Sequence, residues 1–116
     1  MVLTIMRARL PPATARRIHK GKTICDALMA TIPGEITFAV NQKLVARGVT
    51  ATDAEVGKAV AFAFREFKLV VEPGGAVPLA ALMQGRMDAK GKAVVIVLSG
   101  GNVDAELFAR LIEQNP

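Results

Sequence analysis

The chain has no tryptophan, no tyrosine, one cysteine and one histidine. With phenylalanine the only aromatic, and only five of those, the core must be mainly aliphatic, and the high apolar content excludes wholesale disorder. The single thiol, Cys25, has no partner for an internal disulfide, which fits a reducing compartment such as the cytoplasm. Set in T-I-C-D-A-L, with the one histidine far away in sequence, it reads as a buried structural thiol rather than a nucleophile. His19, in R-R-I-H-K, reads as an exposed member of a basic segment. No Cys/His cluster has metal-ligand spacing, and Asp26, Asp53, Asp88 and Asp104 form no EF-hand loop. No apolar run is long enough to span a membrane. The nucleotide fingerprints G-x-x-x-x-G-K-[ST] and G-x-G-x-x-G after a strand are both missing.

Acidic residues are absent from residues 1–22, which hold Arg7, Arg9, Arg16, Arg17, Lys20 and Lys22. The net charge of +5 therefore belongs to this segment, and the rest of the chain is close to neutral. A basic arm could hold nucleic acid, but no aromatic residues interleave with the charges to stack bases. An arginine-rich, acid-free start also suits a transit peptide, whereas Val2 to Met6 is too short for a secretory h-region. The plainest reading is a solvated, irregular leader over residues 1–22, followed by one domain over 23–116. A short strand at Met1 to Met6, broken by Pro11-Pro12, is also possible within the leader.

What is present centres on Lys92 to Asp104, K-A-V-V-I-V-L-S-G-G-N-V-D. Ala93 to Leu98 has the composition of a strand buried on both faces, as in a parallel sheet. Ser99-Gly100-Gly101-Asn102 ends it in a tight turn with bare backbone. An amphipathic helix follows, with Leu107, Phe108, Leu111 and Ile112 on one stripe. Such a turn at the carboxyl end of a parallel strand is where α/β proteins hold ligands, and spacing alone leaves a phosphate cradle and a plain turn both open.

Upstream, Pro33-Gly34 precedes a helix from Glu35 to Arg47, with Ile36, Val40 and Leu44 in one row and Gly48 as C-cap. Val49 to Ala51 can only be a short strand. Thr52-Asp53-Ala54-Glu55 is a capping box opening a helix to about Lys68, with Val56, Val60, Ala63, Phe64 and Phe67 as its buried stripe. Leu69 to Glu72 is apolar and ends in a carboxylate before Pro73-Gly74-Gly75. Glu72 is either a ligand-facing group or a charge favoured by the start of the next helix. That helix spans about Ala76 to Gln84, with Pro78 in its first turn. The class is α/β, with helices packed on a small parallel sheet. An interior strand such as Ala93 to Leu98 needs neighbours that residues 49–51, 69–71 and 2–6 are short to supply, so either the fold is mostly helical around a small sheet or part of the sheet comes from another chain or a missing segment.

Taken together, K-L-V-V-E-P-G-G-A-V (Lys68 to Val77) and G-K-A-V-V-I-V-L-S-G-G-N-V-D (Gly91 to Asp104) resemble the C-terminal part of the threonine/serine dehydratases. T-I-C-D-A-L-M-A is similar to that family's T-x-A-D-G-x-A-V, P-G-E-I-T-F to the start of its next helix, and V-T-A-T-D-A-E-V to its V-x-V-S/T-D-x-E-I. These are pyridoxal-phosphate enzymes of the tryptophan-synthase-β-like fold (fold type II). The resemblance covers about Thr23 to Asn115 and implies a fragment of the larger domain. It implies pyridoxal phosphate as cofactor, a hydroxy amino acid as substrate, and elimination to a 2-oxo acid and ammonia. It places the hydroxyl of Ser99 on the pyridine nitrogen, has Gly100 and Gly101 let the backbone pass close by, and sets Glu72 beside the ring with Asp26 bordering the site.

The departures are as informative. The family's cofactor lysine lies in S-x-K-x-R-G-A, which has no counterpart here, so no catalytic residue is assigned. The phosphate-binding glycine run and the metal-binding acids are also unrecognisable. Ala27 stands where the family has glycine, and Pro78 replaces a helix former. The expectation is a chain that supplies half a site and works with a complementary N-terminal chain or as a homo-oligomer. The alternative is a non-catalytic relic or oligomerising module that retains the fold fragment. Neither nucleic acid nor membrane is expected as a partner.

Overall fold

A computed structural model describes the backbone of Val2–Arg7 and residues 21–116 in full. His19, the break expected at Pro11-Pro12 and the basic side chains from Arg7 to Lys20 lie outside the described residues. Strand β1 (Val2–Arg7) pairs with β2 (Ala46–Ala51) in an antiparallel ribbon whose register runs from Val2 opposite Ala51 to Arg7 opposite Ala46. Between them lie a 3-10 turn, Asp26–Leu28, and helix α1 (Glu35–Leu44). Helices α2 (Asp53–Phe67), α3 (Pro73–Met83) and α4 (Ala105–Gln114) complete the order. The sheet expected to be parallel is thus, among the described residues, a two-stranded antiparallel ribbon.

The α1 helix stops at Leu44, not Arg47, and Gly48 lies in β2 opposite Ile5 rather than capping a helix. Val45 is already extended (φ −78°, ψ 125°), and β-branched Val45, Val49 and Thr50 suit a ladder better than another helical turn. The expected row Ile36, Val40 and Leu44 exists but faces outward, Ile36 being 83% exposed.

The α2 helix opens on the expected capping box. The Thr52 hydroxyl accepts from the Glu55 amide at 3.3 Å, and the Glu55 carboxylate accepts from the Thr52 amide at 2.6 Å. Val56, Val60 and Ala63 are buried as their spacing predicts. Phe64 and Phe67 are exposed instead, and meet Phe108 and Phe62 edge to face at 5.4 and 5.3 Å. Lys68 ends the helix in the left-handed conformation (φ 60°), with its amide and that of Leu69 turned back onto the last carbonyls.

The α3 helix is apolar on all sides and is the centre of the molecule, packing against α2, β2, β1 and the 3-10 turn. It begins at Pro73, which suits the first helical position, where an amide would have no partner. Pro78 consequently falls in the second turn rather than the first, and its missing N–H leaves the carbonyl of Gly74 without a helical donor. Gly75, Ala76, Ala80 and Ala81 bring α3 close to its neighbours, and the largest fully buried side chains are only Val56, Val60, Val77 and Cys25. In α4, the Asp104 carboxylate accepts from the Leu107 amide at 2.8 Å, and Leu111 reaches the core. Arg65 of α2 donates to the carbonyls of Ile112, at 2.5 Å, and Asn115, neutralising the negative end of α4.

Ala93–Leu98 departs furthest from expectation. It carries no strand ladder among the described residues. Ile96 and Leu98 pack on the core, while Val95 and Val97 are 90% and 71% exposed. One face is covered and the other is bare among the described residues, whereas an interior strand has cover on both faces. No helix of the described residues is long and apolar enough to cross a membrane.

Candidate functional site

The two glycine-rich stretches, far apart in sequence, meet at the start of α3. Glu72 is the N-cap of that helix, and its amide donates to the carbonyl of Gly100 at 3.1 Å. Its backbone is extended (φ −69°, ψ 154°) and its side chain makes no capping bond. The carboxylate lies across Gly100 instead, where a Cβ would fall 2.6 to 2.7 Å from the carboxyl group. Gly100 also has φ +80°, which an L side chain adopts only under strain. Glu72 thus stands at the start of α3, with its carboxylate turned onto Gly100.

Gly75 closes the contact. A Cβ there would sit 1.8 Å from the carbonyl oxygen of Ser99, so the helix and the Ser99 backbone touch with no room for any side chain. Gly101 is less crowded, a Cβ there lying 3.1 Å from the carbonyl oxygen of Val70. The result is a wall of bare backbone, Gly74-Gly75 on one side and Ser99-Gly100-Gly101 on the other, with Glu72 bridging them. Ser99, the only serine in the sequence, is solvent-exposed at its rim.

The 3-10 turn forms the third side. A Cβ on Gly74 would lie 3.5 Å from Ala27 Cβ and from Leu28 Cγ, ordinary van der Waals contact. Asp26 is exposed, with its carboxylate accepting from the amide of Ala27 at 2.8 Å. Cys25, immediately before it, is fully buried and free, and burial is the main reason its thiol pKa is raised. It has the environment of a structural thiol, and desolvation works against a reactive thiolate.

Sequence reasoning singles out Ser99, Gly100, Gly101 and Glu72, and the structure brings all four together. It passes over three further residues at the site. Gly75 is visible only as half of a glycine pair. Thr23 and Asp53 meet through space, Thr23 Oγ1 donating to Asp53 Oδ1 at 2.6 Å, and nothing in their spacing signals it. Among the described residues no group of three or more Cys, His, Asp or Glu side chains could hold a metal ion. Two open grooves of about 390 and 360 Å³ lie elsewhere, along α2 and α4 between Lys58, Arg65, Arg110 and Asn115. They hold none of the glycine wall.

Comparison with known proteins adds identity to this geometry. The family model described as pyridoxal-phosphate dependent enzyme matches residues 4–100. It begins inside the segment 1–22, where no motif signals it. The L-threonine ammonia-lyase of Thermotoga maritima is 36% identical over 109 residues, covering 94% of this chain and 27% of that protein. The L-threo-3-hydroxyaspartate ammonia-lyase of Saccharomyces cerevisiae is 38% identical over 95 residues, covering 82% of this chain and 29% of that protein. Among solved structures, a threonine deaminase from T.th. superposes with a TM-score of 0.67 at 31% identity, covering 77% of this chain and 32% of that one. A pyridoxal 5'-phosphate-dependent aspartate racemase gives 0.68 at 30% identity, over 84% and 30% of the two chains. The chain thus spans between a quarter and a third of the proteins it matches. On the family match and the shared fold, this chain belongs to the pyridoxal-phosphate dependent enzymes of fold type II.

Proposed function

We propose that the chain supplies the pyridine-nitrogen side of the cofactor site in a threonine/serine ammonia-lyase, which converts L-threonine or L-serine to a 2-oxo acid and ammonia. Residues 23–116 then form the C-terminal portion of the larger domain, working in the cytoplasm. The observation that carries the reading is the convergence of Glu72–Gly75 with Ser99–Gly101, closed by the Glu72–Gly100 hydrogen bond. The space a Cβ would need at Gly75 and Gly100 is filled by the Ser99 carbonyl and the Glu72 carboxyl group, so this packing supports the reading by fixing Glu72 and the Ser99–Gly101 turn beside one another.

Pyridoxal phosphate, when bound, supplies the electron sink for bond breaking at the substrate's α and β carbons. Ser99 would hold the ring nitrogen through a neutral hydroxyl. Unlike a carboxylate, that hydroxyl does not fix a proton on the nitrogen, which keeps the sink mild and favours loss of a β-hydroxyl over transamination. Gly100 and Gly101 would let the backbone approach the ring edge, and Glu72 would orient the ring from the start of α3. Asp26 borders the same space. The residues present fit only this end of the cofactor. The S-x-K-x-R-G-A setting and a glycine run for the phosphate occur nowhere in the sequence.

A complementary chain bearing those motifs therefore completes the site, and the surface suits it. Val95 and Val97, on the stretch with the composition of an interior strand, and Ile36 and Leu44 of α1 are apolar and more than half exposed. The same surface supports a second reading, a non-catalytic module that retains the fold fragment and oligomerises through it. Co-expression with a polypeptide carrying the lysine and glycine motifs separates the two. Ammonia release from L-threonine should require both chains and fall in Ser99→Ala. Turnover by this chain alone, or none by the assembled pair, overturns the half-site reading.

A further inference from the structure

We propose that Asp53 and Thr23 are positioning residues, a clamp that holds the Asp26–Leu28 turn against the glycine wall; the proposal rests on the reading of that wall as cofactor-facing. Asp53 uses both carboxylate oxygens on the segment before the turn. Oδ1 accepts from the Thr23 hydroxyl at 2.6 Å, and Oδ2 accepts from the Ile24 amide at 3.1 Å. The Thr23 hydroxyl in turn accepts from the Cys25 amide at 3.1 Å, so one carboxylate orders three consecutive residues. Asp53 is itself fixed as the first residue of α2, beside the capping box.

The clamp leads directly to the turn. The carbonyl of Cys25 accepts from the Leu28 amide at 3.0 Å, and that of Asp26 from Met29 at 3.1 Å. The turn so held is solvent-exposed at Asp26, Ala27 and Leu28 and adds little to the core. It packs against α3, where a Cβ on Gly74 would lie 3.5 Å from Ala27 Cβ and from Leu28 Cγ. A half-buried, doubly accepting carboxylate that orders an exposed turn beside a site is placed to set the site's shape. Bonds to a carboxylate are stronger and more directional than bonds to a neutral amide, and asparagine at 53 has one acceptor oxygen and must turn an NH2 toward the other donor.

Cys25 reports on the clamp, being the only thiol, fully buried and within it. In the 116-residue chain, alkylation of Cys25 by iodoacetamide should accelerate about tenfold or more in Asp53→Asn, since one charge-assisted bond is lost. Thr23→Val should behave the same way, and Thr23→Ser, which keeps the hydroxyl, should restore the slow rate. Titration with pyridoxine, followed by amide NMR, adds a readout that a purely structural role would not move. The wild-type chain should shift both at Ser99–Gly101 and at Asp26–Leu28, and Asp53→Asn should lose only the second set. Unchanged alkylation in Asp53→Asn overturns the clamp, as does an equal rise in amide exchange at Val60, which would mean global loosening. If pyridoxine shifts no amide of the wild type, the cofactor reading falls, and alkylation set against Val60 exchange still decides the clamp.

Discussion

Replacing Gly75 with alanine should force the two halves of the glycine wall apart. The new Cβ would lie 1.8 Å from the Ser99 carbonyl oxygen, 2.8 Å from its carbon and 3.2 Å from its nitrogen. All three are backbone atoms, so no rotamer relieves the contact. Real Cβ contacts stay beyond 3.0 Å, so Ser99 must retreat by more than an ångström. Overpacking of this kind costs about 1–3 kcal/mol. The Glu72–Gly100 hydrogen bond, at 3.1 Å, depends on the same approach, and its loss adds about 1 kcal/mol. The expected total of about 2–4 kcal/mol is a large share of the roughly 5–15 kcal/mol that a domain has. Urea unfolding measures it, with Gly21→Ala as control, since a Cβ there meets nothing within 4 Å. The amide signals of Gly100 and Gly101 should shift in Gly75→Ala even in urea-free buffer. A Gly75→Ala chain with the wild-type urea midpoint and unshifted Gly100 would refute the close approach on which the site depends.

Three further outcomes follow from other parts of the molecule. Glu55 accepts from the Thr52 amide and forms a two-pronged ion pair with Arg86 at 2.7 and 2.9 Å; the bond to Arg86 is the main reason its pKa is lowered to about 2. Its folded value lies below the ordinary 4.5, so this stabilisation is full above pH 4.5 and is lost as pH falls toward 2. The stability gap between wild type and Glu55→Gln should be flat from pH 5 to 8 and close in acid; a gap that stayed constant down to pH 2 would contradict it. Lys68 sits at φ 60°, so Lys68→Gly should stabilise the chain by about 1 kcal/mol in urea titrations, and a loss of stability would show that its contacts outweigh the backbone strain. Val95→Lys should leave the isolated chain within about 0.5 kcal/mol of wild type, because Val95 is 90% exposed, yet abolish assembly with a lysine-bearing complement.

Local signals are legible in the sequence and distant ones are not. The Thr52–Glu55 capping box involves donors and acceptors within one turn, and it forms as expected. The end of α1 escapes the pattern because its true stop is a ladder with β1, on which Gly48 meets Ile5 from the far side of the chain. Pro78 reads as a first-turn residue because Glu72-Pro73-Gly74-Gly75 looks like a break, whereas proline is well placed to start a helix and α3 begins on it. The composition of Ala93–Leu98 records two buried faces, and this chain covers only the one carrying Ile96 and Leu98. The site itself is legible through the order of its motifs, since Glu72 and Ser99–Gly101 each stand out as a carboxylate or a glycine turn beside an apolar run. Asp53 escapes notice because its partner, Thr23, lies before the 3-10 turn and α1, and only the fold brings them together.

The antiparallel ribbon has a consequence for the order in which the chain folds. Its ladder joins the very start of the chain to its middle, so every rung is a non-local contact and slow to close. Helices α2 and α3 are neighbours in sequence and share the most extensive helix–helix packing, so their hairpin forms early around Val56, Val60 and Val77. While β1 is still searching for β2, the edge of Ala46–Ala51 stays open to any other strand. A full-length chain refolding from denaturant would meet a partner with its helical hairpin already built and its ribbon unformed. Early capture of this kind changes the kinetic competition between correct assembly and self-association, without altering a single contact in the folded state.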